Sequence, residues 1–119
     1  MGKEPIVIAG GEPNSVFLEI FFKSLKTNTY KSPIIIIISK KLLLEQMIRL
    51  NFDFKINDID KNLKNFSKLN NNKINLINVD YNFNKCFDKI SNKSNKYIHK
   101  TFKTALNFIK QNNLSKFIN

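Results

Sequence analysis

A run of five isoleucines, Ile34–Ile38, is the feature that most constrains the fold of this 119-residue chain. A strand with one wet face alternates apolar and polar residues, whereas an uninterrupted β-branched run is typical of a strand buried on both faces. Such strands occur in parallel sheets that carry helices on both sides. The run therefore predicts the central strand of an α/β protein, and a chain of this length forms one domain.

A second βα unit precedes this run. β-branched residues in the segment Pro5–Ala9 predict a strand, the turn Gly10–Pro13 follows, and apolar residues recur at helical spacing over Val16–Leu25. Asn14 or Ser15 can cap that helix. The residues expected on its inner face are Phe17, Ile20, Phe21 and Leu25.

The rest of the chain continues this alternation. The spacing predicts a helix over Lys40–Leu50 capped by Ser39, a half-buried strand near an edge over Phe52–Ile56, a polar loop with one helical turn over Asn57–Asn72, a strand over Ile74–Val79, a loop over Asp80–Ser91, a helix over Ser94–Asn112 and the start of a strand within Leu114–Asn119. The expected inner residues of the two later helices are Leu43, Leu44, Met47 and Leu50, and Ile98, Phe102, Ala105, Leu106 and Ile109.

This element order predicts a three-layer αβα fold with a mostly parallel sheet, residues 1–119 forming a single α/β segment. The final apolar residues lie where a crossover delivers its second strand, so we expect a truncated N-terminal segment of a longer protein. A complete small domain that ends in an edge strand is the alternative.

The net charge of +11 raises the question of a nucleic-acid partner. Of the 20 basic residues only Arg49 is arginine, the side chain that grips phosphate and guanine bidentately. The lysines accompany a surplus of asparagine and isoleucine, as in Asn70–Asn75, and they are spread along the sequence. The composition therefore predicts no specific nucleic-acid partner, only weak, salt-sensitive adhesion to polyanions.

Other classes are excluded by what the sequence lacks. It contains no apolar run long enough for a membrane span and no signal-peptide pattern, so no membrane partner is expected. The single cysteine, Cys86, fits a reducing compartment, which predicts a cytoplasmic protein. Because His99 is the only histidine, the chain alone cannot build a serine–histidine triad or a multi-histidine metal site, and we expect His99 on the surface.

The turn Gly10–Pro13 locates a candidate site. The first βα turn of a parallel sheet borders the ligand crevice, and glycines permit close approach of the backbone to a ligand. Neither a GxGxxG nor a P-loop pattern is present. Gly11 and Glu12 are thus candidate cofactor-binding residues by position; the alternative is a purely structural turn in which Glu12 suits the helix dipole.

These residues carry a family resemblance. The segment Pro5–Pro13, with Glu19 six residues later, resembles the start of the 4-hydroxythreonine-4-phosphate dehydrogenase family of vitamin B6 biosynthesis, and Gly11, Glu12, Pro13 and Glu19 match its pattern. Tyr97–Gln111 and Lys116–Asn119 are similar to the helix and strand that lead into the family's Gly-Pro…Lys motif. Asn14–Leu18 departs from it, because two family glycines are replaced there.

The resemblance implies an N-terminal fragment of an oxidoreductase with a fold similar to isocitrate and isopropylmalate dehydrogenases, working as a homodimer. The full-length enzyme would oxidise a small phosphorylated substrate, 4-phosphohydroxy-threonine or a related hydroxy acid, with NAD and a divalent metal such as Zn, Mg or Co. The histidines that hold the metal belong to later parts of the family's sequence, so no catalytic or metal residue is assigned here and the fragment is expected to be inactive. A complete small flavodoxin-like module that binds a nucleotide or a partner without catalysis stays open as the alternative.

Overall fold

The computed structural model describes residues 4–10, 17–27, 30–70, 72–81 and 92–118. The elements in chain order are β1 (Ile6–Ala9), α1 (Phe17–Thr27), β2 (Ile34–Ile38), α2 (Lys40–Arg49), β3 (Ile56–Asp58), a 3₁₀ turn (Phe66–Lys68), β4 (Ile74–Asn78), α3 (Asn92–Asn112) and β5 (Phe117–Ile118). None of the helices formed by these residues is both apolar and long enough to span a bilayer.

The strands form one five-stranded sheet in the order β3-β4-β2-β1-β5. Every pairing in it is parallel, which confirms the predicted α/β fold. β2 lies at its centre with all five isoleucines buried, as the uninterrupted run predicts. The order is not the 2-1-3-4-5 of flavodoxin-like folds, so the flavodoxin-like form of the alternative is wrong for this topology.

Helices cover the two faces of the sheet. Val7 pairs with Phe117, whose ring lies 6.0 Å from that of Phe102 in α3, so this face carries α3. Ile8, which points to the opposite face, pairs with Ile118 and lines an apolar groove with α1. α1 contacts α2, and α2 therefore lies on that second face as well. The result is the predicted three-layer arrangement.

The two ends of the described chain meet at β1 and β5. Beside this pairing, the Glu4 carboxylate accepts hydrogen bonds from the Ser115 hydroxyl and backbone N–H, both at 2.7 Å. Both bonds lower the pKa of Glu4 below its ordinary value, and the bond from the Ser115 hydroxyl has the larger effect. The contact joins residues 111 positions apart in sequence.

The inner face of α1 differs from the prediction. Its buried residues are Leu18, Phe21 and Phe22, whereas Ile20 is 61% exposed. The rotation follows from Phe22, whose ring lies 5.3 Å from Phe52 and 5.9 Å from Phe54. Phe22 fills the space between the sheet and this aromatic pair, and Ile20 is turned outward.

The predicted strand over Phe52–Ile56 is wrong in its bounds, since β3 begins at Ile56. Two residues before Ile56 donate their backbone N–H groups to α2. The Phe52 N–H donates to the Met47 carbonyl at 2.9 Å and the Phe54 N–H to the Met47 sulfur at 3.3 Å. Those donors cannot join the ladder. β3 does lie at the edge of the sheet, as expected.

The later helices are also offset. In α2 the predicted inner residue Leu44 is 37% exposed and Gln46 is buried, and in α3 the predicted Leu106 is 54% exposed and Phe108 is buried. The bounds of both helices agree with prediction to within two residues. Ser39 caps α2 as predicted, and Asn113 follows α3 with a φ of 55°, the left-handed conformation expected of an asparagine that ends a helix.

The buried side-chain amide of Asn75 joins the amino end of the sheet to the polar loop. Asn75 in β4 is 1% exposed. Its Nδ2 donates to the Ile34 carbonyl at 2.9 Å, and its Oδ1 accepts from the Asn57 side chain and the Asn70 backbone, both at 2.9 Å. In the sequence, the asparagine-rich stretch looks like a result of biased composition. It nevertheless contains Asn75, whose side chain joins two parts of the fold.

Candidate functional site

The topology places a crevice between β2 and β4. After β2 the chain turns into α2 on one face of the sheet, and after β4 it leads to α3 on the other. Ligands of open parallel sheets bind where neighbouring strands part in this way, outside their carboxyl ends. Here that place is a depression of about 540 Å³, which we call the switch-point crevice. It is lined by Ser39, Lys40, Lys41, Leu44, Asn78, Asp80 and Tyr81.

The amides at the start of α2 are satisfied by the chain itself. The Ser39 N–H donates to the Tyr97 hydroxyl at 2.8 Å, the Lys40 N–H to Asn78 Oδ1 at 2.7 Å and the Leu42 N–H to Ser39 Oγ at 3.2 Å. A helix N-terminus binds anions through such amides when they point at solvent. Because these three are occupied, an anion in the crevice would rely on side chains.

The charged side chains of the crevice are exposed and mixed in sign. Lys40 Nζ lies 2.9 Å from a carboxylate oxygen of Asp58, and Asp80 accepts from Asn78 Nδ2 at 3.0 Å. An exposed pair of this kind stabilises the fold by at most about 1 kcal/mol. Their arrangement suits a ligand that carries both an anionic group and hydrogen-bond donors.

Tyr97 contacts two residues that line the crevice, Ser39 and Tyr81. It belongs to α3, is 3% exposed and packs on Tyr81 with ring centroids 4.5 Å apart and ring planes tilted by 31°. Burial raises the pKa of Tyr97 to about 12 from its ordinary 10.0. Its hydroxyl bond to Ser39 ties α3 to the carboxyl end of β2 across the sheet.

Tyr97→Phe is expected to lower the free energy of unfolding by about 1–2 kcal/mol at neutral pH, because the buried Ser39 N–H loses its acceptor. The tyrosine's advantage is complete below pH 10.0 and falls as pH rises toward about 12. In that window the unfolded chain releases the proton first, so the difference of about 1–2 kcal/mol between the two proteins shrinks to about zero. Urea unfolding of both proteins across this range measures it, and a difference independent of pH would contradict the assignment.

The residues singled out by sequence fall in different places. Gly11 and Glu12, the candidate cofactor-binding residues, lie outside the described residues, as do Cys86 and the predicted caps of α1, Asn14 and Ser15. Glu19 forms an exposed ion pair with Lys23 at 3.0 Å on the outer side of α1. His99 is on the surface, as predicted.

Gly10, by contrast, has a clear packing role. It is buried at the end of β1, and its N–H donates to the Ile37 carbonyl at 2.8 Å. A Cβ at this position would lie 2.7 to 2.9 Å from three side-chain atoms of Ile38. This glycine is required by the close approach of two strands.

Sequence analysis missed Tyr97, Asn78 and Asp80 as crevice residues. Asn78 and Asp80 carried a usable signal, because they are polar residues at the end of a buried apolar strand and the carboxyl ends of parallel strands meet at one edge. Tyr97 carried none: its position in a helix pattern does not show which strand its hydroxyl reaches.

The fold and crevice define a doubly wound, all-parallel α/β protein. A 4-hydroxythreonine-4-phosphate dehydrogenase from Burkholderia phymatum has a similar structure, with a TM-score of 0.77 and 18% sequence identity. The match covers 96% of this chain and 35% of that one, so the chain spans about a third of that enzyme's length. No protein-family model and no curated protein matches the sequence. The fold expected from the resemblance in the sequence is thus found, and it is similar to that of part of this dehydrogenase.

Proposed function

We propose that this chain is the N-terminal segment of an NAD- and metal-dependent dehydrogenase of vitamin B6 biosynthesis. Its substrate would be 4-phosphohydroxy-threonine or a related phosphorylated hydroxy acid, and the full-length protein would be a cytoplasmic homodimer. The observation that carries the proposal is the structural likeness over 96% of the chain to an enzyme named for that activity. A fold alone hosts many functions, and the first-turn residues Gly11, Glu12 and Pro13 supply independent support.

The described residues do not fit the metal. Among residues 4–10, 17–27, 30–70, 72–81 and 92–118, no group of three histidine, cysteine or acidic side chains could hold a cation. The proposal therefore assigns the metal ligands to the rest of the full-length protein, and no catalytic step is derived from this segment.

The fit to NAD is also incomplete. The helix start at the switch-point crevice has three of its amides occupied by Tyr97, Asn78 and Ser39, so it does not form an open pyrophosphate cradle. Gly11 and Glu12 remain the proposed cofactor-proximal residues, by their place after β1. The role of the described residues is to hold β1, β2 and β4 in register and to form one wall of the crevice.

The coding DNA beyond the codon for Asn119 tests the fragment proposal. We expect an in-frame continuation that contains the family's Gly-Pro…Lys motif and several histidines. A stop codon there would contradict the proposal and favour a small binding module without catalysis.

Activity measurements test the enzyme class. The protein made from the continued reading frame should reduce NAD when supplied with the phosphorylated hydroxy acid and Zn, Mg or Co, as followed by NADH absorbance. The isolated 119-residue chain should give no turnover under the same conditions. Turnover by the isolated chain would refute the proposed division of labour, and inactivity of the longer protein would refute the proposed reaction.

A further inference from the structure

The outer side of α3 carries a row of lysines. Lys96, Lys100, Lys103 and Lys110 are exposed and are separated by four, three and seven residues, so they lie on one side of the helix. His99 lies beside them. At 1.5 Å per residue the row is about 21 Å long. We call it the α3 lysine row.

The sheet holds this row in place. The opposite side of α3 is buried through Tyr97, Thr101, Ala105 and Phe108, each at most 3% exposed. The helix cannot turn without exposing these residues, and the lysines therefore face solvent in this structure. Helix formation thus aligns four of the 20 basic residues, although the lysines look dispersed in the sequence.

The row has no acidic neighbour on its own helix. The 21 residues of α3 include no aspartate or glutamate. Two lysines of the other helices differ, since Lys23 pairs with Glu19 and Lys40 with Asp58. Neither ion pair recorded among the described residues involves a lysine of the row.

The row ends in a polar depression. Gln111 Nε2 donates to the Lys61 carbonyl at 3.2 Å, which places the Lys61 segment beside the end of α3. Between them lies a cavity of about 600 Å³, lined by Lys61, Asn62, Thr104, Asn107, Phe108, Lys110 and Gln111. Its titratable side chains are cationic, and amides and a hydroxyl supply further donors for anionic oxygens.

We propose that the α3 lysine row, with this depression, binds the phosphate backbone of a nucleic acid without sequence preference. A straight row of separated point charges matches a linear polyanion, and lysine contacts phosphate without reading bases. A bilayer is disfavoured because Tyr97, Ala105 and Phe108 of α3 are buried and cannot insert, and a membrane-binding helix needs more apolar surface than the exposed Leu106 offers. The surface goes beyond the proposed dehydrogenase function and does not depend on it.

Fluorescence anisotropy with a short labelled DNA duplex of mixed sequence tests this surface. The row variant replaces Lys96, Lys100, Lys103 and Lys110 by glutamine. The matched control replaces four other exposed lysines by glutamine, so both variants lose the same charge. These are Lys26, Lys31, Lys55 and Lys73. Circular dichroism establishes that both are folded.

The row variant should bind the duplex on the order of 100-fold more weakly at low salt. The slope of log affinity against log salt should fall by about 3–4, since each lost phosphate contact removes about 0.9. The control variant should keep most of the affinity and most of the salt slope. Equal losses in the two variants, or no binding by the unaltered chain, would overturn the proposal. Binding to phosphatidylserine vesicles but not to the duplex would overturn it in favour of a membrane surface.

Discussion

Replacing Asn75 by alanine is expected to lower the free energy of unfolding by about 3 kcal/mol. The change removes one hydrogen-bond partner from each of three groups: the Ile34 carbonyl, the Asn70 N–H and the Asn57 side-chain amide, which keeps its bond to the Lys68 carbonyl. A buried polar group that loses its partner costs about 1–3 kcal/mol. Asn75 is 1% exposed, so water cannot easily take its place. Urea unfolding followed by circular dichroism measures the loss.

The control is Asn107→Ala, which truncates an exposed asparagine on α3 and should change stability by less than about 0.5 kcal/mol. Hydrogen exchange adds a local readout, because the Asn70 amide should exchange faster in the Asn75 variant. A loss below about 1 kcal/mol would show that the three bonds do not stabilise the fold as their geometry indicates.

Gly10→Ala should destabilise the fold by about 2–3 kcal/mol, although it adds only one methyl group. That methyl group would lie 2.7 Å from Cγ1, 2.8 Å from Cδ1 and 2.9 Å from Cβ of Ile38. Ile38 is 2% exposed, so its side chain is enclosed by the core. Thermal or urea unfolding measures the effect.

The Ile38→Ala background separates steric overlap from a change in backbone preference. Removing the crowded side chain should reduce the cost of Gly10→Ala to below about 1 kcal/mol, a coupling of about 1–2 kcal/mol between neighbouring sites. If the two losses simply added, the close contact between β1 and β2 could not be the reason for the glycine.

The fold was predictable from sequence because its strongest signals are local. The isoleucine run identified the central strand, and Ser39 identified the start of α2. The rotation of each helix was not predictable at the same level: which of several apolar residues in α1 turns inward depends on Phe52 and Phe54, which come from a distant segment. The periodicity of a helix shows that it has an apolar side. Tertiary packing decides which residues of that side are buried most deeply.

The site was less predictable than the fold. Sequence analysis placed it at Gly11 and Glu12 after β1, and those residues lie outside the described part of the chain. The crevice is set by the direction each connection takes across the sheet, a property of topology. The bond between Tyr97 and Ser39 spans 58 residues and leaves no trace in local spacing.

The pairing of β1 with β5 has a consequence for synthesis. β1 leaves the ribosome before β5 and obtains one of its two neighbours only when residues 117–118 arrive, and the hydrogen bonds between Glu4 and Ser115 must wait equally long. Until then Ile6–Ala9 presents an unpaired side in the nascent polypeptide, the kind of edge that invites wrong partners. Completion of the sheet is therefore coupled to the end of translation of this segment rather than to its start.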